Sequence, residues 1–347
     1  MAYTPKPGMT IQELDTPALL LDLDALEHNL RTMQSFFTGT GTALRPHIKT
    51  HKCPQIAQRQ VAAGAVGITC AKVSEAEVMA QAGLRHILIA NQVTGAVKVD
   101  RLTDLARQCD LMVAVDHPRH VEELAQACQI KQVRLGILIE VDVGMGRCGV
   151  QPGAAVLELA QQIAAAPNLT FMGLQAYEGH LVLTVDPEER ERKVRQAFAP
   201  LAETCDLLKR RGQPAQIVSG GGTGTYSNTG ACPPFNEVQA GSYVFMDSTY
   251  IKVRPEFRPA LTVLSTVLSR KPDKLVADAG LKAMTTELGL PQPLNVPGAA
   301  TRHLSEEHCV IALGEPGQAG CEPGGKLRLL PSHCCTTTKL YNALHAV

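Results

Sequence analysis

Short apolar runs alternate with amphipathic stretches along most of the 347 residues. The opening run ALLLDLDAL at 18–26 reads as a strand leading into a helix from Asp24 to Phe37. Eight further runs follow at 42–49, 65–70, 86–91, 110–115, 134–142, 169–177, 215–219 and 237–246. Helix-like text at 73–83, 117–128, 153–166 and about 186–211 separates most of them. Near-continuous apolar strands between amphipathic helices predict a parallel sheet buried on both faces. Eight such units predict a closed (β/α)8 TIM-like barrel over residues 20–250, with a doubly wound open sheet as the alternative. After Asp247 the texture changes to β-like runs at 260–270, 273–280, 309–315 and 326–332, split by Gly/Pro-rich turns. A second, mainly β domain is therefore expected at 251–347, with residues 1–19 grouped with it. The final LYNALHAV also reads as a strand.

Composition narrows the class. Lys+Arg and Asp+Glu both number 33, so no overall field favours nucleic acid or an anionic membrane. Trp is absent and aromatics are 4%, which argues against a stacking platform for single-stranded nucleic acid. Eleven Cys at irregular spacing read as reduced thiols of a cytoplasmic protein, not as a disulfide framework. The N-terminal text lacks the apolar stretch of a secretory leader, and no run approaches the length of a membrane span.

In a (β/α)8 barrel the chemistry sits at the C-terminal ends of the strands. Those ends carry Arg45–Lys52, Asp142–Gly149, Gln175–His180, Ser219–Thr225 and Gln239–Tyr243. The triplet Gly220-Gly221-Gly222 lets backbone approach a ligand closely and point several N–H groups at one anion. A lone glycine triplet is more often a tight turn, but barrels bind phosphate at the loops after strands seven and eight. Gly241-Ser242 falls in the second of those loops. Lys49 ends an apolar strand, so its amine is expected to face the barrel mouth, partly desolvated, as a nucleophile for carbonyls. Lys52 is expected to open the next helix and face solvent. A phosphate site and an inward lysine in one mouth point to pyridoxal 5′-phosphate. Arg147 can reach the cofactor's phenolic oxygen or a substrate carboxylate, and Tyr177 can stack or donate a hydrogen bond.

In the second domain, His333 and Cys335 lie two apart in PSHCC. On an extended chain they share a side and can chelate a divalent metal, with Cys334 facing away. From spacing alone, buried cysteine is the commoner explanation.

Taken together, RPHIKTHK, DVGMGRCGV, QAY, SGGGTGT, EVQAGSYVFMD and DAGLKA occur in an order that resembles the fold-type III pyridoxal-phosphate enzymes, in the D-threonine aldolase/D-serine dehydratase branch. The resemblance runs from DTPALLLDLDALEHNL at 15–30 to PSHCC. It implies a barrel plus a β domain, usually as a homodimer, acting on a D-amino acid with pyridoxal 5′-phosphate and a divalent metal (Zn, Mn or Mg). Lys49 is then the cofactor-bearing lysine, with His51 and His180 as further candidate catalytic residues. His47, Arg147, Tyr177, Gly221, Gly222, Thr223, Gln239, Gly241, Ser242 and Tyr243 are the candidate cofactor-binding residues, and His333 and Cys335 the metal pair for the substrate's β-hydroxyl.

Two departures bear on the substrate. The aldolases usually carry a carboxylate where this chain has Cys335, the choice typical of the dehydratases. The aldolase pattern also places a His six residues beyond the Tyr of QAY, where this chain has Leu183 and its nearest His is His180. The glycine loop and EVQAGSYVFMD look more like the aldolases, which tips the expectation to retro-aldol cleavage. Dehydration and racemisation are the alternatives within the class. A non-catalytic protein that buffers the cofactor is the alternative outside it, disfavoured by the extra hundred residues and their H-x-C.

Overall fold

The computed structural model describes residues 3–314 and 322–347, which form two compact units. One comprises Arg31–Gly241; the other joins the residues up to Leu30 with those from Ser242 onward. The strands are β1 (Ala18–Leu21), β2 (Ala43–Leu44), β3 (Ile68–Cys70), β4 (His86–Gln92), β5 (Asp110–Val115), β6 (Leu135–Glu140), β7 (Leu169–Ala176), β8 (Ile217–Gly220), β9 (Glu237–Val238), β10 (Leu261–Arg270), β11 (Lys274–Ala277), β12 (Gln292–Pro293), β13 (Ala300–Leu304), β14 (Cys309–Ala312), β15 (Lys326–Leu330) and β16 (His345–Ala346).

In the first unit β2 to β9 form one parallel sheet in the order β2-β9-β8-β7-β6-β5-β4-β3. A parallel bridge between His47 and Thr69 joins its two ends, so the sheet closes as a barrel. Each predicted run between 42 and 246 supplies a strand, but the first and last supply only two residues each. Pro46 brings no N–H to the ladder, so the first run leaves the sheet and tightens into a 3-10 turn at Ile48–Thr50. The last run ends in a second such turn at Ser242–Val244. The predicted helices form as α1 (Leu23–Phe37), α3 (Val73–Gln81), α5 (Pro118–Lys131), α6 (Ala154–Ala165) and α7 (Pro187–Arg210), alongside α2 (Pro54–Ala62) and α4 (Ala96–Leu105). The apolar faces of α2 to α7 and the outward strand residues make one core, with Ile87, Val113, Ile137, Leu174 and Val156 fully buried.

The second unit is a mainly antiparallel sheet in which β10 pairs with β11, β15 and β1. Leu20 and Leu21, which the sequence boundary gives to the barrel, pair with Thr262 and Leu261 of this sheet instead. β16 adds to β1 in parallel and accounts for only two residues of the closing LYNALHAV run. β13 escapes the sequence pattern because none of its residues is buried, so ATRHL has no apolar face to read. The last residue of the expected run at 309–315 lies outside the described residues.

The barrel interior is polar and wired. Arg45 Nε donates to Glu237 Oε2 at 2.8 Å, Ser219 Oγ donates to Glu237 Oε1 at 2.7 Å, and Gln239 Nε2 donates to both Ser219 Oγ (2.9 Å) and Gln175 Oε1 (3.2 Å). This chain ties the sequence's first barrel strand to β7, β8 and β9. Removing one partner of a buried ion pair leaves the other charge uncompensated. Glu237→Ala is therefore expected to lower the urea-unfolding free energy by about 3–5 kcal/mol. An Arg45→Met, Glu237→Leu double variant should lose clearly less; an equal loss in the two would show that the pair's charge is not what matters.

Candidate functional site

The 3-10 turn at Ile48–Thr50 carries Lys49. Its N-cap is His47, whose Nδ1 accepts the Lys49 N–H at 3.4 Å. Burial, and then the charge of Lys49, push the His47 imidazole well below its usual pKa, so it stays neutral and serves as an acceptor. Adjacent residues of a three-per-turn helix point about 120° apart. Ile48 and Thr50 are accordingly buried while Lys49 is exposed. The partial desolvation expected for Lys49 is thus not observed, although its Nζ does lie over the Tyr177 ring, 5.8 Å from the centroid. A Cβ on Gly241 would stand 2.7 Å from the His47 carbonyl oxygen and 2.9 Å from Thr50 Oγ1, so only glycine lets this turn seat. Lys52 pairs with Glu75 at 3.0 Å.

Arg147 comes from the loop after β6. Asp142 Oδ1 accepts the N–H groups of Gly144 (3.0 Å) and Gly146 (3.1 Å), and both glycines have positive φ. The resulting tight loop holds the Arg147 guanidinium 5.6 Å from the Tyr177 centroid and 3.7 Å from Glu140. Glu140 is buried, which raises its pKa, and Gln92 Nε2 donates to it at 2.6 Å. A lysine and an arginine therefore converge on one tyrosine, with the glycine loop beside it: a Cβ on Gly222 would lie 3.4 Å from the Tyr177 hydroxyl.

The glycine loop departs from expectation in its donors. The Gly221 N–H goes to Glu178 Oε2 (3.2 Å) and the Gly222 N–H to Thr225 Oγ1 (3.1 Å). Buried N–H groups must find partners, and here two are taken within the protein. These positions offer close approach, not a pair of anion donors. Thr223 is buried in the same loop. Glu178, which the sequence reading passed over, is fully buried and also accepts the Thr229 hydroxyl at 2.6 Å. Its only signal was an acid directly after an apolar strand.

Other candidates sit elsewhere. His51 is buried, with Nδ1 accepting the Cys53 N–H (3.1 Å) and Nε2 bonded to Gln60 Oε1 (3.2 Å), so one ring nitrogen meets the N-cap of α2 and the other its last turn. His180 is exposed beside Gly144, in an open cleft that Asp142, Gln151 and Lys193 also line. Gln239 spends its amide in the barrel-interior chain.

In the other unit, Tyr243 is fully buried, its ring centroid 5.9 Å from that of Phe257, and Ser242 Oγ lies 3.5 Å from Cys335 Sγ. His333, Cys334 and Cys335 each offer one donor atom, all within 4.8 Å of one another. They are not on an extended strand: His333 is the N-cap of a short helix, Cys334–Thr338, whose first turn brings Cys334 alongside Cys335. The expectation that Cys334 faces away is thereby corrected. A hydrogen bond from Cys334 holds Cys335 well below the usual thiol pKa, whereas burial raises Cys334. His333 Nδ1 lies 3.2 Å from Asp247 Oδ2, a carboxylate with no solvent exposure. Burial opposes charge on His333, but the bonds to Asp247 and Cys335 carry it up to about 10.

Glu178 yields a test of the loop. Burial raises its pKa, against the hydrogen bonds of Thr225, Thr229 and Gly221. Stability is then greatest below the ordinary carboxylate range and falls as pH rises through the raised value. Glu178→Gln should lack that fall, so its stability relative to wild type should climb with pH in urea titrations. Glu178→Ala orphans three donors and should cost ~1–3 kcal/mol for each. A pH-independent difference between Gln and wild type would contradict this account.

Comparison with known proteins agrees with this geometry. The model of the alanine racemase N-terminal domain matches residues 21–249, and that of a putative serine dehydratase domain matches 260–347. A D-threonine aldolase of Arthrobacter sp. is 42% identical over 99% of this chain and 91% of its own length. A 3-hydroxy-D-aspartate aldolase of Paracoccus denitrificans (strain Pd 1222) is 40% identical over 97% of this chain and 89% of its own length. The crystal structure of D-threonine aldolase from Filomicrobium marinum superposes with a TM-score of 0.94 at 38% identity, covering 97% of this chain and 92% of that one. With a closed parallel barrel, a lysine and an arginine over one tyrosine, and a β unit matched by its own model, the chain belongs to the alanine racemase-like family of fold-type III pyridoxal-phosphate enzymes.

Proposed function

We propose that the protein is a pyridoxal 5′-phosphate- and metal-dependent lyase that cleaves D-threonine-like D-β-hydroxy-α-amino acids to glycine and an aldehyde. The convergence of Lys49 and Arg147 on Tyr177 carries this reading. The residues fit the cofactor: an amine, a guanidinium and a phenol surround a loop that has no side chains at Gly221 and Gly222. When bound, the cofactor supplies an electron sink for the pair left on Cα as the Cα–Cβ bond breaks.

Lys49 would hold it through Nζ, and Arg147 would orient its phenolic oxygen or the substrate carboxylate. Glu178 keeps the glycine loop in the shape that admits a phosphate. His180, exposed beside the Arg147 loop, is the candidate base for the β-hydroxyl proton. His333 and Cys335 would hold the divalent cation, and a thiolate in the pair favours Zn2+ over Mg2+.

Elimination of water to a 2-oxo acid and ammonia is the second reading. Cys335 stands where the aldolases usually carry a carboxylate, and the β unit matches a putative serine dehydratase domain. The assignment extends to a cytoplasmic homodimer, in keeping with the family and with ten described cysteines that are all free thiols. Among the described residues no helix is long and apolar enough to cross a membrane.

Holoprotein incubated with D-threonine and Zn2+ or Mn2+ should release glycine and acetaldehyde, with negligible turnover of L-threonine. A 2-oxo acid with ammonia would select the second reading, and equal rates on both enantiomers would point to a racemase. Chelation should abolish turnover while leaving the cofactor's visible absorption intact. Retention of full activity after chelation would remove the metal from the reaction.

A further inference from the structure

Among the described residues Asp247 is the most enclosed carboxylate of the β unit, and it has no part in the reaction proposed above. It has no solvent exposure, and its two oxygens divide four partners. Oδ1 accepts the N–H groups of Thr249 (3.1 Å) and Tyr250 (2.8 Å), while Oδ2 accepts the Cys334 N–H (3.0 Å) and meets His333 Nδ1 (3.2 Å). An ionised carboxylate has no proton to give, so the fourth contact requires the proton on His333 Nδ1. The Cys334 N–H ties the carboxylate to the start of the helix that carries Cys335, while the Thr249 and Tyr250 N–H groups tie it to the start of the helix Tyr250–Val253.

We propose that Asp247 is the positioning residue of the metal pair: it holds the Nδ1–H of His333 and thereby reserves Nε2 for the cation. The inference rests on the metal assignment made above and deepens it. A carboxylate behind a ligating imidazole fixes ring orientation and tautomer, and losing it typically costs 10–100-fold in metal affinity. In Asp247→Asn the amide oxygen should stay with the two N–H donors of Thr249 and Tyr250. The amide nitrogen then faces the Cys334 N–H, which loses its acceptor, and His333 Nδ1, which must accept, so the ring proton moves to Nε2, where it competes with the cation.

Two measurements test this. In zinc-loaded wild type with 15N-labelled histidine rings, the resonance that disappears in His333→Ala should show a protonated Nδ1 and a metal-bound Nε2. Competition against a chromogenic chelator should show zinc held about 10–100-fold more weakly by Asp247→Asn. Zinc bound through Nδ1 in wild type would overturn the proposal even if the Asn variant failed to fold. So would His333-dependent zinc binding of wild-type strength in Asp247→Asn. Zinc uptake that is the same in wild type and His333→Ala would instead sink the metal reading on which the proposal rests.

Discussion

A carboxylate taken out of water must be surrounded by donors, and in this protein the donors are the turns that matter. Glu178 takes the Gly221 N–H and the Thr229 hydroxyl, Glu237 takes Arg45 and Ser219, and Asp247 takes three backbone N–H groups and His333. Desolvating each acid alone would cost several kcal/mol, so each persists only with its full set of partners. The same condition works in reverse on the loops. A glycine loop, a closing strand and a helix N-terminus are each held in one arrangement because any other would strand a buried charge.

Glycine supplies the complementary half of this design. Where a carboxylate pins a loop, a missing side chain lets another segment come close. Gly241 admits the His47–Thr50 turn, and Gly222 leaves room beside the Tyr177 hydroxyl. The Arg147 loop combines both devices at once, since Asp142 anchors it and Gly144 and Gly146 adopt the positive φ that its path demands. Lys49, Arg147 and Tyr177 meet because three separately braced backbones are brought to one place, and no residue of the trio holds the others there by itself.

The alternation of apolar and amphipathic text was enough for the eight barrel strands and for most of the helices between them, though not for α2 and α4, because burial on both faces writes itself as continuous hydrophobicity. What lay beyond it has physical causes. β13 has no buried residue and therefore no pattern. The short strand β2 gives way to a 3-10 turn that leaves Lys49 exposed, and the PSHCC segment opens a short helix, so an argument that assumed extended chain misjudged the direction of Cys334. The organising acids were invisible for a different reason. Glu178 and Asp247 look like any charged residue beside an apolar run, and only the tertiary structure shows that donors from distant segments close over them. Resemblance nominates candidate residues for the site, but no local pattern marks the acids that brace the segments carrying them.

The two adjacent cysteines show how far such surroundings can separate chemically identical groups. Cys334 is wholly enclosed, and burial keeps it a neutral thiol. As a neutral thiol it has an S–H to donate, and that bond is the leading influence favouring the thiolate at Cys335, with His333 adding to it. A metal ligand must be the deprotonated form. The buried partner thus prepares the half-buried one: the energy cost of ionising Cys335 is lowered by the neighbour that burial prevents from ionising. Replacing the thiolate with a carboxylate at 335 would remove the need for that help, since a carboxylate is ionised at neutral pH without it. The H-C-C sequence therefore reads as a unit in which burial keeps the proton on Cys334, whose S–H together with His333 favours the thiolate at Cys335.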